Sequence, residues 1–154
     1  MKNASRRDSL HRQPPDLSQF YENVPVGLCS LDLDLRYVHI NKWLAAINGI
    51  SAQEHVGRRI DDVLPDVAKS IKSLLRQVIE TGKPIIDGTV EAETQARPSN
   101  KRIFQHSYWP VRSKDDTIIG VACVVTDITN RMWAEEKQRD AFSAKLASLN
   151  GQRR

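Results

Sequence analysis

Two cysteines, with no Cys-x-x-Cys spacing between them, leave nothing from which to build a disulfide framework or a zinc site. Cys29 and Cys123 both fall inside apolar strand patterns, as reduced thiols of a cytoplasmic protein do. No apolar run approaches the ~20 residues that a membrane span requires, so a soluble chain with no membrane partner is expected. Ser5-Arg6-Arg7 has the form of a twin-arginine export signal, but His11-Arg12-Gln13-Pro14-Pro15 follows where an apolar segment is needed, and no signal is expected. No serine sits in a Gly-x-Ser-x-Gly elbow and no phosphate-cradling loop is present. The four histidines, His11, His39, His55 and His106, are scattered. Asp61-Asp62 and Asp115-Asp116 are adjacent pairs whose side chains diverge on a helix or turn. Neither catalytic residues nor metal ligands are assigned, and the chain is not expected to be an enzyme.

Charge is unevenly spread. The net +4 arises because residues 1–15 carry four basic side chains against one acidic, and residues 130–154 six against three, while the remainder holds 13 against 15. A nucleic-acid reader carries a basic stripe on its folded surface; this slightly acidic body shows none, and no nucleic-acid partner is expected. The 154 residues accommodate one ordinary domain and short tails. Residues 1–15, polar, basic and ending in Pro14-Pro15, read as a flexible tail.

What is present is organised around Tyr108 to Thr129. A strand ending in Tyr108-Trp109-Pro110-Val111-Arg112, a polar connection from Ser113 to Thr117, and the run from Ile118 to Val125 predict a β-hairpin closed by Asp127-Ile128-Thr129. In its second strand both parities are apolar: Ile119, Val121, Cys123 and Val125 on one, Ile118, Ala122 and Val124 on the other. Both faces therefore need cover, from elsewhere in the chain or from a second copy.

Upstream, Asp16 offers an N-cap with Gln19 three residues on, a capping-box arrangement, opening a short helix with Leu17, Phe20 and Tyr21 on one side and an end before Pro25. Gly27 to Asp32 and Leu35 to Ile40 form a tight hairpin with Asp34 as the turn residue. Asn41 caps a helix that buries Trp43, Leu44 and Ile47 and ends at Asn48-Gly49. Ser51 starts a further helical turn that Gly57 breaks. Val67, Ile71, Leu74, Leu75, Val78 and Ile79 are at helical spacing from Asp66 to Thr81, with Gly82 as C-cap. Ile85 to Glu93 and Lys101 to Arg112 read as strands around a polar loop from Thr94 to Asn100. A last helix runs from about Asn130 to Leu149, its seam of Phe142, Leu146 and Leu149 interrupted upstream by Glu135 and Arg139.

The Pro-Val-Arg strand end, the Gly-containing apolar strand and the Asp-Ile-Thr joint to a charged helix resemble the C-terminal half of a PAS domain. Gly27-Leu28-Cys29-Ser30-Leu31-Asp32 with Leu35 to Asn41 resembles that family's opening hairpin. Gly57 to Pro65, and Glu80-Thr81-Gly82-Lys83-Pro84, fall where it places an inter-helix turn and the end of its long helix. The resemblance implies an α+β PAS fold over residues 16–129: a five-stranded antiparallel sheet with helices packed on one face, flanked by an N-terminal helix and, from 130 to 154, a C-terminal signalling helix and tail.

Strand parity beside the light-sensing LOV branch of the family places Cys29 and Leu31, Phe104, His106 and Tyr108, and Val121, Cys123 and Val125 on the concave face that lines the family's ligand pocket. His106 and Tyr108 either contact a small molecule or are core residues bonded to backbone or water. The family's first and fifth strands are neighbours, which implies that the thiols of Cys29 and Cys123 lie close, as a redox pair or as small buried hydrophobes. LOV domains carry an adduct-forming cysteine where this chain has Arg58-Arg59-Ile60-Asp61-Asp62-Val63, so that photochemistry is not expected. Nor is haem, for which the family uses a histidine on the long helix; His55 is the nearest. Noncovalent flavin or an organic acid stays open, and the cofactor is unassigned. The resemblance further implies a sensory module that relays a change through Asp127 and Thr129 to the last helix. Its partners would be a second copy, joined through the N-terminal helix and outer sheet face, and an output domain or protein such as a histidine kinase. The alternative is a ligand-free dimerisation scaffold for a transcriptional regulator or diguanylate cyclase.

Overall fold

In the computed structural model, which describes residues 16–153, five strands form one antiparallel sheet in the order β2-β1-β5-β4-β3. They are β1 (Gly27–Asp32), β2 (Tyr37–Ile40), β3 (Ile85–Thr94), β4 (Arg97–Arg112) and β5 (Ile118–Asp127). The basic tail expected over residues 1–15 lies outside the described residues. Six helices accompany the sheet: α1 (Leu17–Asn23), α2 (Lys42–Asn48), α3 (Ala52–His55), α4 (Ile60–Val63), α5 (Pro65–Thr81) and α6 (Thr129–Gly151). The five-stranded sheet with helices on its concave face is as expected.

α5 is the amphipathic helix its spacing predicts. Ala68, Ile71, Leu75 and Val78 are buried, Val67, Leu74 and Ile79 pack at the margin, and Gly82 ends the helix in the left-handed conformation, φ 66°. It packs on β3, β4 and β5, while α2 packs on β1. The space between sheet and helices is thereby closed from two sides.

Asn41 does more than cap α2. Fully buried, it accepts from Leu44 N and Leu28 N, each at 3.0 Å, and donates to the carbonyls of Tyr21 (3.0 Å) and Val26 (2.9 Å). One amide thus ties α1, the entry to β1 and the start of α2 together, using all of its bonding capacity on backbone groups that would otherwise lack partners.

Asp34 lies in the turn between β1 and β2 as expected, and Leu35 after it takes the left-handed conformation (φ 59°), with the Asp32 carboxylate accepting from both Asp34 N and Arg36 N at 2.9 Å. Local expectations are corrected at three places. Trp43 is exposed; Leu44, Ala45 and Asn48 form the buried face of α2. The polar loop expected from Thr94 to Asn100 shrinks to a tight turn at Gln95-Ala96, with Thr94 paired to Arg97, because the long strand pair continues hydrogen bonding past its apolar portion. Asp16 caps α1 through Ser18 N and Gln19 N, but Gln19 does not complete a capping box.

The convex face of β5 is covered only in part. α1 lies over Ala122 and Val124, leaving them half-buried beside a groove lined by Leu17 and Tyr21, whereas Trp109 on β4 is 36% exposed. Alternation expected along β5 breaks at Ile119, which the β4–β5 pairing skips between Gly120 and Ile118 and which is 48% exposed. From Asn130 to Arg153 every residue is exposed, including Trp133, Phe142, Leu146 and Leu149.

Candidate ligand cavity and strand-to-helix joint

The concave face is laid out by register. One row across the sheet runs Ile40, Cys29, Cys123, Tyr108, Ile85; the next toward the chain ends of β1 and β5 runs Gly27, Val125, His106, Gly88. Between these rows and the helical residues Leu44, Ile47, Leu64, Val67 and Ile71 lies a cavity of about 60 Å³, space for a few waters or a molecule of a handful of heavy atoms. Cys29, Leu31, Phe104, His106, Tyr108, Cys123 and Val125 line it. Val121, placed on the same face by parity, is fully buried in the core and does not reach the cavity.

Tyr37, Asn48, Val90 and Thr94 also line the cavity and were not anticipated. Tyr37 was hidden by a bulge. Pairing passes from Ser30–His39 to Leu31–Tyr37, skipping Val38, so that Tyr37 and Ile40 both face inward and simple alternation fails. Val90 was legible by parity from its partner Phe104.

His106 stacks on Tyr108 with ring centroids 4.8 Å apart and 28° between planes. Its Nδ1 is buried and has no hydrogen-bond partner. Burial pushes its pKa below the usual imidazole range, with a backbone hydrogen bond at Thr89 acting the other way. The ring is therefore neutral at pH 7. Cys29 and Cys123 face each other directly across the β1–β5 ladder, both free and buried. A hydrogen bond that the Cys123 thiol donates to Cys29, reinforced by burial, pushes Cys123 well above its ordinary pKa, so it stays protonated.

His55 is fully buried and committed elsewhere: Nδ1 donates to the Ser51 carbonyl (2.8 Å), which leaves Nε2 to accept from Asn48 Nδ2 (3.0 Å). Its ring stands at 80° to that of Tyr37, with the centroids 5.0 Å apart. Among the described residues no group of three or more His, Cys, Asp or Glu is placed to hold a metal ion. No helix among them is long and apolar enough to cross a membrane.

At the end of β5, Asp127 and Thr129 occupy one bonded cluster. Asp127 Oδ1 accepts from Thr129 N (3.0 Å) and Thr129 Oγ1 (2.6 Å), and Oδ2 accepts from Arg102 Nε on β4 (2.6 Å). Thr129 Oγ1 in turn accepts from Ile103 N (2.9 Å), and Ile128 N donates to Ile103 O (2.9 Å). Burial works against the Asp127 charge, but the bonds from Arg102 and Thr129 outweigh it and hold the carboxyl below its ordinary pKa. Only Thr129 N of the first turn of α6 is capped by Asp127; the Thr129 hydroxyl pins that turn to β4.

The PAS-fold family model matches residues 21–132. Among solved structures, a PAS domain from Colwellia psychrerythraea is 16% identical, covering 74% of this chain and 95% of that one with a TM-score of 0.63. A ligand–DNA complex of VqmA from Vibrio cholerae is 19% identical, covering 77% and 52% with a TM-score of 0.64, so this chain spans about half of that protein. A sensory box sensor histidine kinase from Vibrio cholerae is 18% identical, covering 80% and 98% with a TM-score of 0.55.

Proposed function

We propose, for a chain that belongs to the PAS family, that residues 16–129 bind a small molecule in the internal cavity and pass the resulting bias through Asp127 and Thr129 to α6. The observation that carries this is His106 Nδ1, a buried polar atom without a partner on a residue that lines a largely apolar cavity. Native proteins satisfy such atoms, and a bound molecule is one way to do so. Transmission requires the ligand to bind two arrangements of the sheet with different affinity. The Asp127–Thr129–Ile103 bonds supply a mechanical path, since they fasten the first turn of α6 to the strand that carries His106.

The neighbours include a histidine kinase sensor and a DNA-bound regulator; by analogy the output here is a kinase or regulator, reached by α6. A second reading, a ligand-free dimer scaffold, is favoured by the apolar side chains left exposed on α1, the sheet and α6, namely Phe20, Trp109, Ile119 and Leu146. Native mass spectrometry separates the two: a bound small molecule supports the sensor, whereas an empty dimer whose cavity takes up nothing supports the scaffold.

A further inference from the structure

Two phenols line the mostly apolar cavity. Tyr37 on β2 and Tyr108 on β4 come from strands on either side of the Cys29–Cys123 pair, and all four residues line the same space. Tyr108 is 1% exposed and Tyr37 3%, yet neither hydroxyl has a protein hydrogen-bond partner among the described residues, in contrast to Tyr21, whose hydroxyl donates to the Leu28 carbonyl. Tyr108 pairs with Cys123 and Cys123 with Cys29 across the sheet, and Tyr37 lines the same cavity; burial pushes both phenols far above their ordinary pKa, and the neighbouring thiols act in the same direction. They therefore remain O–H donors at any physiological pH. No Lys or Arg side chain lines the cavity. An ionised carboxylate would enter it without a counter-charge, which burial makes costly. A hydrocarbon would leave two desolvated hydroxyls unpaired, a penalty of the same kind.

We infer that the cavity selects a small, neutral, largely apolar molecule bearing a carbonyl-type hydrogen-bond acceptor, which the hydroxyls of Tyr37 and Tyr108 hold between them. This rests on the reading of the cavity as a ligand site, and it narrows that site against organic acids.

Three probes of nearly equal size isolate the claim: pentan-2-one, butanoate and pentane, each titrated into the protein while backbone amide resonances are followed. Pentan-2-one shifts the amides of Leu31, Tyr108 and Val125, and butanoate binds at least about tenfold more weakly. Tyr37→Phe and Tyr108→Phe each weaken pentan-2-one roughly fivefold, the loss of one neutral hydrogen bond, and leave pentane unchanged. Butanoate binding as tightly as the ketone, or ketone affinity untouched in both variants, overturns the inference. Pentane binding as well as the ketone overturns it too, while leaving the cavity a ligand site. If none of the three shifts any cavity amide, the ligand reading itself falls.

Discussion

Gly88 lies against the imidazole of His106, its cross-strand partner: a Cβ at Gly88 would come within 2.5 Å of Cε1 and about 3 Å of both ring nitrogens. The glycine is required here for space, not for backbone conformation, since the ring occupies the volume a methyl would need. Gly88→Ala must therefore push His106 toward the cavity or spread β3 from β4. Overpacking of this kind costs about 1–3 kcal/mol. Urea unfolding of the variant measures the loss, and a change in the His106 ring resonances identifies its cause. Unaltered stability would mean that the ring moves freely.

Thr129→Val keeps the shape of the side chain but removes the acceptor for Ile103 N. A backbone N–H left unpaired at a half-buried joint costs about 1–3 kcal/mol, and the Ile103 amide exchanges faster with solvent. Asp127→Ala removes the bonds to Arg102 and to Thr129 while leaving the core intact. Its expected signature is a broader distance distribution between spin labels on α6 and on β4, with a modest loss of stability because Arg102 is left without its partner. An identical distribution would show that Ile128 and Thr129 hold the joint without the carboxylate.

His106 and His55 are both held neutral, each chiefly by burial. A depressed folded pKa means that the unfolded chain binds the extra proton first as pH falls. Stability is thus full above the ordinary value of 6.5 and declines as pH drops below it toward the folded pKa values. Unfolding free energies from pH 8 to 5 test the direction. His106→Gln flattens part of the decline, whereas a curve that rises on acidification contradicts the assignment. Asp127 has the same sign lower down: its contribution is present above 3.8 and is lost as pH falls through its lower folded value.

Asn41→Ala strands two carbonyls and two amide hydrogens that the side chain now pairs. At about 1 kcal/mol or more for each of these four groups, the variant loses upward of about 4 kcal/mol. Because those groups belong to α1, β1 and α2, amide exchange should quicken in all three, and quickening in α2 alone would reduce Asn41 to an ordinary helix cap.

α5, β5 and the bounding turns were legible because each records a local preference: apolar residues at helical spacing, a β-branched run, and glycine where the helix must reverse. The inward set Cys29, Leu31, Phe104, His106, Tyr108, Cys123 and Val125 followed from strand alternation read beside the family, which holds wherever a ladder is unbroken. Tyr37 was lost at the one place where the β1–β2 ladder skips a residue, and Trp43 was misplaced because two or three apolar residues in a seven-residue helix do not fix its rotation. Sequence thus determined which elements exist and, where alternation is regular, which way their side chains point. Only the packed structure decided that Tyr37 joins Tyr108 and the two thiols in lining one cavity, that Asn41 joins three elements and that Gly88 makes room for His106, since each depends on contacts between segments far apart in the chain, and local propensity carries no information about those.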